Sequence, residues 1–168
     1  MTIILIRHGH KAMQPADNPT LSPKGYEQSH KLLTYVKNNQ LPAPTHCFFT
    51  DKIRTYETLQ EIIKVYQPKT ELKTDLNLHH HLETSLQFRQ RVQKCINYFT
   101  FLSSQPELHH QIIYLCTHYD WIEEAMSIID CDQNLNSFEY VSWAPAQFIE
   151  FEIIDHIWHI KSKGSAYV

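Results

Sequence analysis

Glycine is scarce in this sequence, at three in 168 residues. Each glycine therefore invites a question, above all Gly9, which stands between Arg7-His8 and His10. Paired cysteines are also missing. Cys47, Cys95, Cys116 and Cys131 are far apart, form no CxxC pair, and read as buried free thiols of a reducing compartment. No stretch is apolar for the length a bilayer requires. The apolar run inside MTIILIRHGH is too short for a signal peptide, and no positive region precedes it. The expectation is a cytoplasmic protein with no membrane partner. Lysine and arginine form no dense run, and the formal net charge is −3. Nucleic-acid binding driven by counterion release has no support in such a chain. No repeat, low-complexity tract or linker divides the sequence, so residues 1–168 are expected to form one domain around one core.

What is present is ordinary in bulk and pointed in detail. The chain is 42% hydrophobic and 20% charged, as expected of a globular protein, and carries twelve histidines. So high a histidine count means that any single histidine needs support from its context. Thr2–Ile6 is apolar and rich in β-branched residues, which predicts a buried strand ending in a polar loop. Ser22-Pro23 is a helix start, with Ser as N-cap and Pro at the first helical position, and Leu32, Leu33 and Val36 follow at helical spacing. His46–Phe49 predicts a second strand. Asp51 is expected to cap a helix carrying Leu59, Ile62, Ile63 and Tyr66. Thr84 or Ser85 opens another helix, whose Leu86, Val92, Ile96 and Phe99 face inward.

Gln111–Cys116 predicts a further strand, with an amphipathic helix from Tyr119 to Ile129 behind it. The tail alternates as an antiparallel hairpin, 147–153 and 156–161, turning at Asp155. Strands alternating with helices imply an α/β three-layer sandwich, a mainly parallel central sheet flanked by helices with the hairpin at its end. Ligands of such sheets bind beyond the carboxyl ends of the strands. Arg7-His8 and Thr117-His118 both fall at such ends.

A neutral imidazole with one nitrogen held by a hydrogen bond and the other free can attack phosphorus. The arginine before His8 offers a planar fork of donors to phosphoryl oxygens. Gly9 would let the backbone turn and approach a ligand closely. For a bare tripeptide, a surface Arg-His-Gly turn is the better explanation. Three further pieces follow in order, however: Leu21-Ser22-Pro23-Lys24-Gly25-Tyr26-Glu27-Gln28, then Phe49-Thr50-Asp51-Lys52-Ile53-Arg54-Thr55, then Ile112–His118. Together they resemble the histidine phosphatase superfamily, also called phosphoglycerate mutase-like, over nearly the whole chain.

The resemblance implies a phosphatase in which His8 becomes a phosphohistidine and Arg7, Arg54 and His118 complete the phosphate pocket. Gly9 and Thr117 join it as phosphate- or substrate-binding positions, and Thr50 and Thr117 are possible hydroxyl donors. It also implies no cofactor and no metal, since two guanidiniums and an imidazole can stabilise the transferring charge. The partner implied is a phosphorylated protein or a small-molecule phosphate, and the oligomeric state stays open.

Two departures matter. Many members carry a glutamate general acid in a Leu-x-Glu stretch, where this chain has Asp75-Leu76-Asn77-Leu78; and Tyr119 stands where many have glycine. Both resemble the small phosphohistidine phosphatases of the SixA type. Glu83, in a Glu-Thr-Ser opening paired with Arg91-Val92, could act as the acid, as could His79, His80 or His81. The triple histidine otherwise reads as a solvated loop rather than a metal site, and Trp143, Phe148, Phe151 and Trp158 as core. A small-molecule phosphomonoesterase and a non-catalytic phosphate-binding module remain alternatives.

Overall fold

A computed structural model describes residues 1–167. Its centre is a six-stranded sheet in the order β3-β2-β4-β1-β5-β6. The strands are β1 (Thr2–Arg7), β2 (His46–Phe49), β3 (Lys69–Leu72), β4 (Ile112–Thr117), β5 (Gln147–Ile154) and β6 (Ile157–Ser165). The first four run parallel to one another, while β5 is antiparallel to β1 and β6 antiparallel to β5. The expected layered α/β architecture with a C-terminal hairpin is what the chain adopts.

The sheet is covered on both faces, which is why β1 and β4 are almost unbroken apolar runs. On one face Ile3, Leu5, Ile113 and Leu115 pack against α3 (Ser85–Ser103) and α4 (Tyr119–Met126). On the other, Ile4, Ile6, Tyr114 and Cys116 meet α1 (Pro23–Lys37) and α2 (Ile53–Tyr66). The alternation of odd and even residues between these sets is the period of two of a strand. The tail aromatics are core, as expected, but they divide: Trp143, Phe151 and Trp158 join the first face and Phe148 the second.

Local chemistry sets most boundaries. Ser22 caps α1 by accepting from Gly25 N at 3.2 Å, with Pro23 in the first turn. Thr84 and Gln87 form a reciprocal capping box on α3. Asp51 does not cap α2, contrary to expectation. Lys52 takes that position without a side-chain bond, since its ammonium has no acceptor to offer the first helical amides, and its own N–H donates to Thr50 Oγ1 at 3.1 Å. The expected helix after β4 stops at Met126 rather than Ile129. The tail hairpin turns through Asp155 and His156, both at positive φ, so β6 starts one residue later than expected and runs on to Ser165. β3 went unanticipated, since all its residues are exposed and none alternates in polarity.

Candidate active site

Strand register brings the site together. Arg7 of β1 pairs with Thr117 of β4, so the residue after each is a histidine at the same edge of the sheet. His8 N donates to Thr117 O at 3.0 Å, and the His8 and His118 rings meet edge to face, 5.2 Å between centroids. Arg54 arrives from the first turn of α2, on the far side of β4 from β1. Its Nε donates to His8 Nε2 at 3.2 Å and its Nη2 to His118 Nδ1 at 3.3 Å. Arg7, His8, Gly9, Arg54 and His118 thereby line one cleft of about 420 Å³.

The hydrogen bonds fix the tautomer of His8. Its Nδ1–H donates to the carbonyl of Gly9 at 2.7 Å, which leaves the Nε2 lone pair toward Arg54 and the cleft. Burial, aided by the positive charges of Arg54, Arg7 and Lys11, pushes the His8 pKa down to about 3 against the opposing Gly9 bond. The ring is therefore neutral near pH 7, the state a nucleophile needs. His118 is driven down to about 2, first by burial and then by His8, Arg54, Lys52 and Arg7. Since Nδ1 accepts from Arg54, Nε2–H donates to Thr50 Oγ1 at 3.0 Å.

Arg7 is held differently. Its Nη1 donates to the carbonyl of Trp143, its guanidinium lies 5.2 Å from the centroid of the Tyr119 ring, and its buried Nε has no partner. Tyr119, the departure from the family pattern, thus packs against the arginine. An unpaired buried guanidinium N–H is costly.

Gly9 does not serve as a left-handed turn, because no glycine has positive φ. What it supplies is space. A Cβ there would stand 3.2 Å from both Gly25 O and Leu21 Cδ2. Gly25 is tighter, with a Cβ falling 2.1 Å from His10 O, so the start of α1 can lie directly against the loop after His8. Thr117 also differs from expectation. It is fully buried and its hydroxyl donates to Leu76 O, away from the cleft, so it anchors the 74–76 turn.

Glu83 is bound to Arg91 through both oxygens, at 2.9 and 2.8 Å. Those bonds hold its carboxyl below the usual range, the disposition of an anion rather than a proton donor. The histidines of the triple run part company. His79 is fixed by its N–H to Asp120 Oδ2, by Nε2 on Glu83 O, and by stacking on Phe88. The His80 and His81 rings lie 4.3 Å apart, tilted at 37° to each other, and line an adjoining cleft of about 930 Å³. Among the described residues no group of three or more His, Cys, Asp or Glu side chains could hold a metal ion.

Several residues of the site escaped the motif reading. Leu78 lines both clefts, as do Lys11 and Arg54, and Asp120 lines the smaller one. Thr58 Oγ1 accepts from Gly9 N at 2.9 Å, and Gln28 Oε1 from His10 N at 2.8 Å. Glu57, buried at 9% exposure, accepts from Leu21 N and Tyr26 OH at 2.7 and 2.8 Å. The spacing Leu21-x-x-x-Gly25-x-x-Gln28 was the signal for Gln28. Nothing in the sequence marked Glu57.

Comparison with known proteins points the same way. Residues 3–79 match the model of the histidine phosphatase superfamily, branch 1. Over those residues the chain is similar to the histidine phosphatase superfamily. The matched stretch contains Arg7, His8, Gly9 and Arg54, while His118 lies beyond it. Solved structures share this histidine phosphatase fold over the full length. The protein histidine phosphatase SixA complexed with tungstate is 13% identical, covering 99% of this chain and 97% of its own, with a TM-score of 0.77. The α-ribazole phosphatase of Shigella flexneri is 15% identical, covering 100% and 98%, at 0.74. A phosphoserine phosphatase of Entamoeba histolytica in complex with 3-phosphoglyceric acid is 14% identical, covering 98% and 96%, at 0.69. No curated protein sequence matches. The matched family and these three structures are of phosphatases, hydrolases that act on phosphorylated substrates. No helix among the described residues is long and apolar enough to cross a membrane.

Proposed function

We propose that this protein hydrolyses phosphohistidine in a protein substrate through a covalent phosphohistidine on His8. The observation that carries the covalent step is the unprotonated Nε2 of His8, facing the cleft and the cationic Nε of Arg54 at 3.2 Å, with the other ring nitrogen pinned to Gly9 O. In the first step Nε2 attacks phosphorus, the bond to the leaving nitrogen breaks with its electron pair, and that nitrogen takes a proton from water. The phosphorylated ring keeps its Nδ1–H and the bond to Gly9 O. In the second step water attacks phosphorus, the P–Nε2 bond breaks, and the pair returns to Nε2 as phosphate departs. Arg7 and Arg54 meet the equatorial oxygens, His118 holds the Arg54 guanidinium beside them through Nδ1, and this charge stabilisation needs no metal ion.

The substrate class rests on Leu78, an apolar side chain on the cleft wall where a proton donor would assist a poor leaving oxygen. A general acid is worth about 10² to 10⁴ in rate. An imidazole leaving group can draw its proton from solvent and gives up little of that factor. The second reading, a small-molecule phosphomonoesterase, draws on His80 and His81, which line the larger cleft and could serve as acid.

Turnover assays without added metal test the proposal. Wild type is expected to hydrolyse a phosphohistidine peptide and para-nitrophenyl phosphate, and His8→Ala neither. Wild type inert on both substrates would make the protein a phosphate-binding module.

A further inference from the structure

The Asp75–Glu83 segment is the wall between the phosphate cleft and the larger cleft beside it, with Leu78 touching both. It has no regular structure beyond the 3₁₀ turn Thr74–Leu76, yet its carbonyls do not point idly to solvent. Arg91, on the second turn of α3, collects them. Its Nη1 donates to Asp75 O at 3.0 Å and Asn77 O at 2.8 Å, and its Nη2 to Leu78 O at 3.2 Å. The remaining donors, Nε and Nη2, close on the Glu83 carboxylate at 2.9 and 2.8 Å. All five guanidinium N–H groups are thereby spent on one loop, a geometry that the planar fork of arginine permits and the ammonium of lysine does not. The loop is held from the other side as well, by Asp120 on His79 N, Trp121 Nε1 on Asp75 O, and Thr117 on Leu76 O.

We propose that Arg91 is a positioning residue that fixes this segment as the leaving-group wall and so sets activity toward substrates with an extended leaving group. The inference rests on the phosphatase reading above and assigns Arg91 no contact with the phosphoryl group. Glu83 becomes the counter-ion that completes the clamp.

Two substrates with the same P–N bond separate the possibilities: phosphoramidate, whose leaving group is ammonia, and a phosphohistidine peptide. Wild type is expected to favour the peptide in kcat/KM. Arg91→Met is expected to lower kcat/KM for the peptide about tenfold or more, mainly through KM, since small misplacements of a positioning wall are costly. Phosphoramidate turnover should stay within about twofold, because the phosphate clamp lies outside the wall. Arg91→Lys should not rescue. Glu83→Gln, which keeps an acceptor for the guanidinium, should show a smaller loss in the same direction and serves if Arg91→Met does not fold. Amide hydrogen exchange at His79 and Glu83 should quicken in Arg91→Met, reporting a loosened wall.

Equal losses on both substrates would make Arg91 merely structural and overturn the inference. So would an unchanged peptide rate despite faster exchange, or no wild-type preference for the peptide. Wild type inert on both substrates would instead remove the phosphatase reading on which the inference stands.

Discussion

At the scale of single residues, the account turns on the protonation of His8. Its pKa, driven to about 3 by burial and neighbouring cations, lies well below the 6.5 of a free imidazole. The nucleophilic form therefore persists as pH falls from 7 toward 4, and kcat/KM should show no acid limb near 6.5 from this group. An NMR titration of labelled histidine checks it directly: the His8 ring signals should stay at their neutral shifts down to pH 4.5. Arg54 is the second lever. Its donors face both histidines, so Arg54→Lys removes the planar fork while keeping a charge, and kcat should drop about 10²- to 10³-fold, as for loss of an oxyanion donor. Steady-state kinetics on para-nitrophenyl phosphate would measure that drop. A change under threefold would show that the guanidinium geometry is not used.

At the scale of elements, the loop from His10 to Leu21 closes on itself through Ala12 N to Thr20 O and is anchored by side chains of α1 and α2. Glu57 holds it from beneath through Leu21 N and Tyr26 OH, and Gln28 and Thr58 hold the backbone at His10 and Gly9. Glu57→Ala leaves the buried Leu21 amide without a partner and should cost about 2 kcal/mol of stability, the usual range for a buried bond to a charged acceptor. Urea unfolding would read it as a lower midpoint with unchanged slope. Gly25→Ala should be at least as damaging, because its Cβ would strike the carbonyl of His10 rather than a flexible side chain.

At the scale of the whole molecule, two buried histidines tie folding to pH. Both His8 and His118 have folded pKa values depressed below 6.5, to about 3 and about 2. Below pH 6.5 the unfolded chain binds protons at these positions that the folded chain refuses, so stability falls as pH falls through 6.5 toward 3. His118→Gln should flatten that part of the profile relative to wild type when unfolding is measured from pH 7 to 4. Substrate choice also belongs to this scale, since the wall beside the phosphate cleft is carried by α3 and α4 together. Alkyl phosphate monoesters should be slower than a phosphohistidine peptide by about 10² or more, the share a general acid would otherwise supply. Comparable turnover would point to an acid on the wall, with His80 and His81 the first to substitute.

Much of this was legible from the chain because the chemistry sits at strand ends. An apolar strand that stops at Arg7-His8 and another that stops at Thr117-His118 fix both the sheet and the face on which the site lies. Other features were not legible, for physical reasons. β3 carries no alternation, since an exposed edge strand has no buried face to impose one. The Thr117 hydroxyl turns to Leu76 O and the Glu83 carboxylate to Arg91, choices made by tertiary neighbours rather than by local spacing. Glu57 follows Arg54 on the same helix, yet its role appears only once α1 and its loop are packed against α2.

The most direct test of the covalent step is rapid-quench trapping of the enzyme during turnover, followed by peptide mapping under alkaline conditions that preserve phosphohistidine. The account predicts one phosphoryl group on Nε2 of His8, formed within a single turnover and absent from His8→Ala. Turnover with no phosphorylated enzyme, or with the phosphoryl group on His118 instead, would contradict it.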